Sequence, residues 1–349
     1  MSFKHDTNGH KASQIWNKLC KIPVMSAQSI AGGRNSQVFR LNLSDGQTVI
    51  AKHYFRHPGD PRDRMSVEVK ALQLLHGHGI RAVPMILAVD EENSVAILEH
   101  ISGTRVSLAT LDDAEQAVQF LGSLKKIADS VQYDLADPAS EAFFSPDGLM
   151  DNVRFRLTRL SNAPNESSVV GRMHAFLHEQ LAPALDQAEN HCRERLDFEE
   201  KLPRSRQTLS PSDFGFHNAL RGADNRLWFL DFEYFGWDDP AKTLCDMDLH
   251  PHPLMDLEPK VRERLLKKSL QGLQPGKWLY DRSIALYPIF VVKWCCILLN
   301  EFIPADLERR RFSNACQPEK NVLQRQLQKA ENLLNQSWEK YERFRRCLA

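Results

Sequence analysis

Ser210-Pro211-Ser212-Asp213-Phe214-Gly215-Phe216-His217-Asn218 is followed, after a Gly222-Ala223-Asp224-Asn225 turn, by Leu227-Trp228-Phe229-Leu230-Asp231-Phe232-Glu233-Tyr234. Asn218 stands five positions after Asp213, and Asp231 stands eighteen after it. Taken singly, an aspartate beside serine and glycine is most often a turn residue bonded to its own backbone. Taken jointly, the three residues supply a carboxylate able to accept a proton and two oxygen ligands for a hard divalent cation. Phosphoryl transfer asks for those parts, because the protein's share of that chemistry is positioning and charge neutralisation.

Upstream of this stretch the chain reads as small and sheet-rich. Residues 1 to about 15 read as a ragged tail, followed by a short amphipathic helix from Ile15 and extended structure from Val24. Phe39, Leu41 and Leu43 alternate with Arg40 and Asn42, and Ser44-Asp45-Gly46 then turns the chain into Thr48-Val49-Ile50-Ala51-Lys52, which predicts a hairpin. Asp60-Pro61 opens a helix whose apolar positions are Val67, Ala71, Leu74 and Leu75, with Gly77 and Gly79 ending it. A further strand runs from Ser94 to Ile101.

Four features of this half bear on chemistry. Gly32-Gly33, with Asn35 and Ser36 after it, lets backbone N–H groups approach phosphate oxygens, although a glycine pair before a strand is more often a plain turn. Lys52 ends a strand. Glu68 follows sixteen positions later on the helix face that carries Leu72 and Leu75, which is the order of a phosphate-placing lysine held by a helical carboxylate, although on these residues alone a solvated surface lysine and an unrelated glutamate are the commoner case. Glu99 and Ile101 close the last strand.

Beyond Gly103 the pattern is mainly helical, with helices predicted at 112–131, 150–160, 169–195, 261–271, 280–302 and 321–344. Strands at 207–209 and 227–231 frame the Asp213 loop, and Asp238-Asp239-Pro240 opens another helix. Asp246 and Asp248 lie on or near that helix, either as an acidic rim that would attract a cationic substrate or as solvated carboxylates. Ile284 to Leu299 is the most apolar stretch. Pro288 and Lys293 interrupt it, so it predicts a buried helix rather than a membrane span, with Lys293 paired to an acid, meeting a substrate oxygen, or snorkelling.

At 349 residues and 42% hydrophobic, the chain is long enough for two lobes and a large core. Lys plus Arg and Asp plus Glu are 45 each, so no global field favours nucleic acid, an anionic membrane or a polyanionic substrate. The seven cysteines are scattered without Cys-x-x-Cys spacing, and the polar N-terminus carries no secretory h-region; both predict a reduced cytoplasmic protein.

Asp-x-x-x-x-Asn followed by Asp-Phe-Glu resembles the aminoglycoside phosphotransferase and choline kinase superfamily, and Asp231-Phe232-Glu233-Tyr234 resembles choline and ethanolamine kinases in particular. The resemblance covers nearly the whole chain and extends to the order hairpin, helix, strand. It implies an α+β, two-lobed, protein-kinase-like fold: a small antiparallel-sheet N-terminal lobe at 1–102 and a larger, mainly helical C-terminal lobe at 103–349. It further implies ATP and Mg²⁺ as cofactors and Asp213 as catalytic base. Asn218 and Asp231 would be the metal ligands, and Lys52 with Glu68 would place the phosphates. Gly32, Gly33, Asn35 and Ser36 would cover the nucleotide, and the backbones of Glu99 and Ile101 would bond adenine. Glu233 would support the metal shell or bond the loop. One departure stands out: the family usually carries His two residues before the catalytic Asp, as a scaffold for the loop, and here that position is Pro211. His217, within the loop, reads as a packing or hydrogen-bonding residue rather than the base.

The implied reaction is transfer of the γ-phosphoryl group to a hydroxyl of a sugar, amino sugar, choline-like amine or amino alcohol. Ala-Pro-Glu and His-Arg-Asp are absent, which turns the reading away from protein kinases. A polycationic antibiotic acceptor has little support from a chain of zero net charge. The alternative, motivated by Pro211, is a pseudokinase that binds nucleotide or a protein partner without turnover.

Overall fold

The alternation of Phe39, Leu41 and Leu43 becomes one buried face of a strand, with all three side chains at most 4% exposed. A computed structural model describes residues 12–17, 22–30, 35–56, 62–130, 136–164, 167–273, 276–304, 306, 312 and 321–349. It divides the chain into two units. The first comprises Met1–Thr104, Leu220–Tyr234 and Glu308–Pro318, and the second Arg105–Ala219, Phe235–Leu307 and Glu319–Ala349.

In the first unit, strands β1 (Val24–Ile30), β2 (Ser36–Leu43), β3 (Thr48–Tyr54), β4 (Ile86–Asp90) and β5 (Val95–Glu99) form an antiparallel sheet in the order β1-β2-β3-β5-β4. Its registers place Lys52 between Val38 and Ala96. Residues 12–17 are already helical and bury Ala12, Ile15 and Trp16 against Phe39, Leu41 and Val95, so ordered chain begins before Ile15. Trp16 Nε1–H donates to Ile22 O at 2.8 Å, which fastens that segment. Helix α1 (Arg64–Gly77) is capped by Asp63, whose carboxylate accepts from Ser66 N–H at 3.0 Å. Asp60 and Pro61, the expected opening, lie outside the described residues. Gly79, at φ +79°, takes the chain out of the helix as a left-handed residue without Cβ strain.

Strand β6 (Gly103–Arg105), with β8 (Ala219–Gly222) and β9 (Leu227–Phe229), makes a second small sheet whose ends Arg105 and Ala219 are where the chain passes into the second unit. A Cβ at Gly103 would lie 2.8 Å from Arg221 O, so only glycine fits there. Phe229 N–H donates to Ala82 O at 2.8 Å and ties β9 to the segment ahead of β4.

The second unit is helical: α2 (Leu111–Ser130), α3 (Pro146–Ser161), α4 (Ser168–Phe176), α5 (Ala182–Arg193), α6 (Pro240–Leu249), α7 (Pro259–Leu273), α8 (Lys277–Leu298), α9 (Val322–Asn335) and α10 (Ser337–Leu348). The predicted start of α3 at Met150 is too late, because Ser145 accepts from Gly148 N–H and Pro146 takes the first turn. The single helix expected at 169–195 is divided by a π turn, Leu177–Leu181, just ahead of Pro183, whose missing N–H cannot close an ordinary helical bond. The last predicted helix breaks at Gln336. Helix α8 and the turn after it, Lys277–Phe302, are long and apolar enough to cross a membrane, yet 83% of its apolar window is buried inside the protein, as expected of a core helix.

Strand β7 (Thr208–Ser210) pairs with β10 (Gly236–Asp238), while β8 pairs with β9. The two strands expected to frame the Asp213 loop are therefore not partners of each other. The α+β class holds, with an antiparallel sheet in the first unit and a helical second unit.

Candidate active site

In the first unit the antiparallel register aims Lys52 from the middle of the sheet at α1. Its ammonium lies 2.6 Å from Glu68 Oε2 and 2.7 Å from Asp231 Oδ1. Lys52 is 6% and Glu68 1% exposed, so both charges depend on one another rather than on water. Burial alone would lower the lysine's pKa, but Asp231 and Glu68 outweigh it and raise it well above the ordinary value. Glu68 is held further by Tyr54 O–H at 2.8 Å and by Phe232 N–H at 3.3 Å. The sixteen-residue spacing and the helix face expected for this pair are what the structure shows.

Asp231 follows β9 in the left-handed region, φ +67°, which is uncommon for a residue with a Cβ. Its side chain stays 32% exposed while Glu233, two residues on, is 2% exposed. The strand expected at 227–231 thus ends at Phe229, and the left-handed turn carries both Asp231 and Glu233 to the Lys52 side. Asn35 Nδ2–H donates to Glu233 Oε1 and, at 2.7 Å, to Tyr234 Oη. Glu233 therefore bonds Asn35, two residues after the glycine pair. Ser36 opens β2 and is buried, whereas Gly32 and Gly33 lie outside the described residues. Tyr54 and Tyr234 have no sequence signal of their own.

The ligand atoms of Glu68, Asp231 and Glu233 all fall within 4.8 Å of one another. Glu233 Oε2 is buried and has no hydrogen-bond partner among the described residues, and the Lys52 ammonium is 4.0 Å away. Burial first, then the Asp231 carboxylate, push the Glu233 pKa up to about 7. Three carboxylates, one of them with an unsatisfied oxygen, suit a hard divalent cation, while the Lys52 ammonium offsets part of their charge. At the end of β5, Glu99 is tied to Met85, N–H to O at 2.9 Å and Oε2 to N–H at 3.1 Å. Ile101 N–H has no partner among the described residues.

In the second unit β7 ends in the Asp213 loop. Asp213 N–H donates to Pro211 O at 2.9 Å, and Ser212 takes φ +67°. Asn218 Nδ2–H donates to Asp213 O at 3.0 Å, which keeps that pair together and leaves Oδ1 as the amide's acceptor. The Asp213 carboxylate meets His217 Nε2 and His250 Nε2, each 3.2 Å from Oδ1. Partial burial pushes its pKa up, but the N–H donors of His217 and His250 draw it well below the ordinary aspartate value. His217 is accordingly the hydrogen-bonding residue expected, and its partner is the proposed base itself.

Lys242 anchors the same loop. Its Nζ lies 2.9 Å from Ser212 Oγ, 3.1 Å from Asp238 and 2.9 Å from Asp246. The sequence reading missed this lysine, although Lys242 and Asp246 stand four residues apart on the helix that Asp239-Pro240 opens, a step that favours ion pairs. His250 was missed as well; the alternation His250-Pro251-His252-Pro253 was its visible signal.

Asp246 and Asp248 are neither a cationic-substrate rim nor solvated. Asp246 pairs with Lys242 and accepts from Trp294 Nε1–H at 2.8 Å, while Asp248 is bound by Arg262 at 2.9 Å, Arg343 at 3.2 Å and Tyr287 O–H at 2.6 Å. Lys293 does not snorkel: it is 2% exposed, 3.4 Å from Glu141, with the Phe143 ring 4.8 Å away. Burial lowers its pKa more than Glu141 raises it.

The model of a phosphotransferase enzyme family matches residues 26–246, from β1 through most of α6. Comparison with curated proteins finds no match. Among solved structures the chain is similar to the spectinomycin phosphotransferase APH(9)-Ia in complex with ADP and spectinomycin, with TM-score 0.61, 13% identity, and coverage of 92% of this chain and 98% of that one. It is similar to a Plasmodium vivax ethanolamine kinase at TM-score 0.59 and 12% identity, covering 97% of each chain. It is also similar to a choline kinase from Cryptosporidium parvum Iowa II at TM-score 0.53 and 15% identity, covering 89% of this chain and 90% of that one. At such identities the likeness establishes the fold, and the family match establishes the relationship. The chain belongs to the phosphotransferase enzyme family.

Proposed function

We propose that the chain transfers the γ-phosphoryl group of ATP to a hydroxyl of a small molecule. The observation that carries this reading is the Lys52–Glu68–Asp231 triad, a buried ammonium clamped by a buried helical carboxylate beside a half-buried aspartate. Two of the three ammonium hydrogens are engaged by carboxylates, and the third has no hydrogen-bond partner among the described residues and would hold phosphate oxygen. Asp231 and Asn218 are assigned to the metal, with Glu233 in support, and a bound Mg²⁺ would neutralise charge on the phosphates.

Asp213 is assigned the base. Its carboxylate accepts the proton of the acceptor hydroxyl as that oxygen bonds to the γ-phosphorus, and the bond to the β,γ-bridging oxygen breaks to leave ADP. A carboxylate whose pKa is held low is a weak base, so its work is chiefly to orient the hydroxyl. Asn35, Ser36, Gly32 and Gly33 are assigned to nucleotide covering, and the backbones of Glu99 and Ile101 to adenine. The unpartnered Ile101 N–H supports that last assignment.

Spectinomycin, choline and ethanolamine, named for the similar structures, define the acceptor panel. The pairing of Asp246 and Asp248 with cations weighs against a polycationic drug. The pseudokinase alternative loses its motive, since the loop lacking a histidine at Pro211 is supported by His217 and Lys242 instead. ADP release measured across the panel, with and without Mg²⁺, tests the reading. Acceptor-dependent release that needs Mg²⁺ and vanishes in Asp213→Ala is expected; ATP binding without release across the panel refutes it.

A further inference from the structure

The surroundings of Asp213 hold more order than its role as base requires. His217 and His250 approach one oxygen, Oδ1, from two parts of the chain, each at 3.2 Å. Their rings stack with centroids 4.0 Å apart and planes 16° off parallel, and Trp294 meets His250 edge-on at 5.0 Å. The tautomers follow from the other nitrogens. His252 N–H donates to His250 Nδ1 at 3.2 Å, so the proton of neutral His250 sits on Nε2, facing Asp213. His252 Nδ1 in turn accepts from Leu254 N–H at 3.1 Å, which sets the backbone that supplies this bond. His217 Nδ1 is buried and has no partner among the described residues, so a proton there would be an unsatisfied donor. Its proton also belongs on Nε2. Gly215 makes room for this ring: a Cβ there would stand 2.7 Å from His217 Nδ1 and 2.7 Å from Met255 Sδ.

We infer that His217 and His250 are positioning residues for Asp213: both donate Nε2–H to Oδ1, fixing the carboxylate so that Oδ2 is the oxygen presented to the acceptor hydroxyl. The role rests on the reading of Asp213 as base. It also explains how the loop dispenses with a histidine at Pro211, because the support comes from His217, four residues after Asp213, and from the segment after α6. The same hydrogen bond argues against a metal ion on Asp213, His217 and His250, although their ligand atoms are close enough for one. A neutral imidazole ligating through Nε2 keeps its proton on Nδ1, and at His250 that position faces the His252 N–H.

The test uses the full chain with Mg-ATP, scoring ADP release with whichever panel compound is turned over, or with water as acceptor. His250→Phe keeps a ring in the stack and removes the donor, and His250→Gln restores a donor on a side chain of similar reach. His250→Phe is expected to lower kcat by about 10- to 100-fold with the KM for ATP unchanged, as loss of a supporting hydrogen bond at a site does. His250→Gln is expected to recover part of it. Full kcat in His250→Phe, beside an inactive Asp213→Asn, overturns the positioning role alone. Turnover retained in Asp213→Asn overturns the assignment of the base. Should His250→Phe fail to fold, long-range ¹H–¹⁵N spectra of the ¹⁵N-histidine-labelled wild type decide. Nε2–H tautomers for both rings, perturbed in Asp213→Ala, support the inference, and an Nδ1–H tautomer at His250 overturns it.

Discussion

Lys52 balances two carboxylates with one ammonium in a place where water contributes little. Lys52→Ala would leave Glu68 and Asp231 facing each other, with Glu233 close by, and no cation between them. Breaking a buried pair by removing one partner typically costs about 3–5 kcal/mol, so a fall of that order in unfolding free energy by urea titration is expected, with loss of turnover. Lys52→Arg is expected to restore the charge but not the activity, since the planar guanidinium cannot occupy the ammonium's compact position between Glu68 and Asp231. Spacing and order along the chain, matched to the family resemblance, were enough to name Lys52 and Glu68, because a strand lysine and a helix glutamate have side-chain directions set by local structure. Tyr54 and Tyr234 were not legible. A hydroxyl that bonds a carboxylate from another element leaves no local trace.

Strand β10 illustrates how an element constrains the loop next to it. Gly236 pairs with Ser210, three residues before Asp213, and a Cβ at Gly236 would lie 2.3 Å from Asp137 O, 2.5 Å from Ala139 N and 2.7 Å from Pro138 C. All three are backbone atoms and cannot swing aside. Gly236→Ala is therefore expected to destabilise by about 2–3 kcal/mol and to reduce turnover through the displaced loop, measured by thermal melting and ADP release. Gly122 provides the contrast: it lies within α2, and a Cβ there would meet nothing within 4 Å. Gly122→Ala is expected to stabilise by about 0.5–1 kcal/mol with activity unchanged, because alanine loses less backbone entropy on entering a helix. Helix and strand existence was readable from periodicity and caps. Boundaries were not, as the late start assigned to α3 and the unseen π turn before Pro183 show, because they depend on single caps and on one missing N–H.

Stability against pH is a property of the entire folded chain, and Glu141 has a defined share in it. Burial would raise its pKa, but Lys293 and Arg156 draw it down to about 2 from the 4.5 of an unperturbed glutamate. A depressed acid contributes stability that is present above about pH 4.5 and is lost as pH falls through 2. Glu141→Gln is expected to cost about 3 kcal/mol near neutral pH, a gap that narrows by about 2 kcal/mol at pH 3, as read from urea midpoints. Asp238, raised to about 6 by burial against its Lys242 partner, works in the opposite direction between pH 4 and 6. Comparing variant with wild type, rather than reading the wild-type curve alone, isolates the Glu141 contribution. The α+β class, the family, the pairing of Lys52 with Glu68 and the closeness of Asn218 to Asp213 were legible in the sequence, because these depend on residue type at short spacings and on hydrophobic period. Tertiary structure alone decided that Asp246 and Asp248 are consumed by internal ion pairs. It also turned Asp231 and Glu233 toward Lys52 through a left-handed backbone, and it brought His250 to the oxygen of Asp213. Each of these matches groups distant in sequence, and a linear pattern carries no information on which buried charge will find which partner.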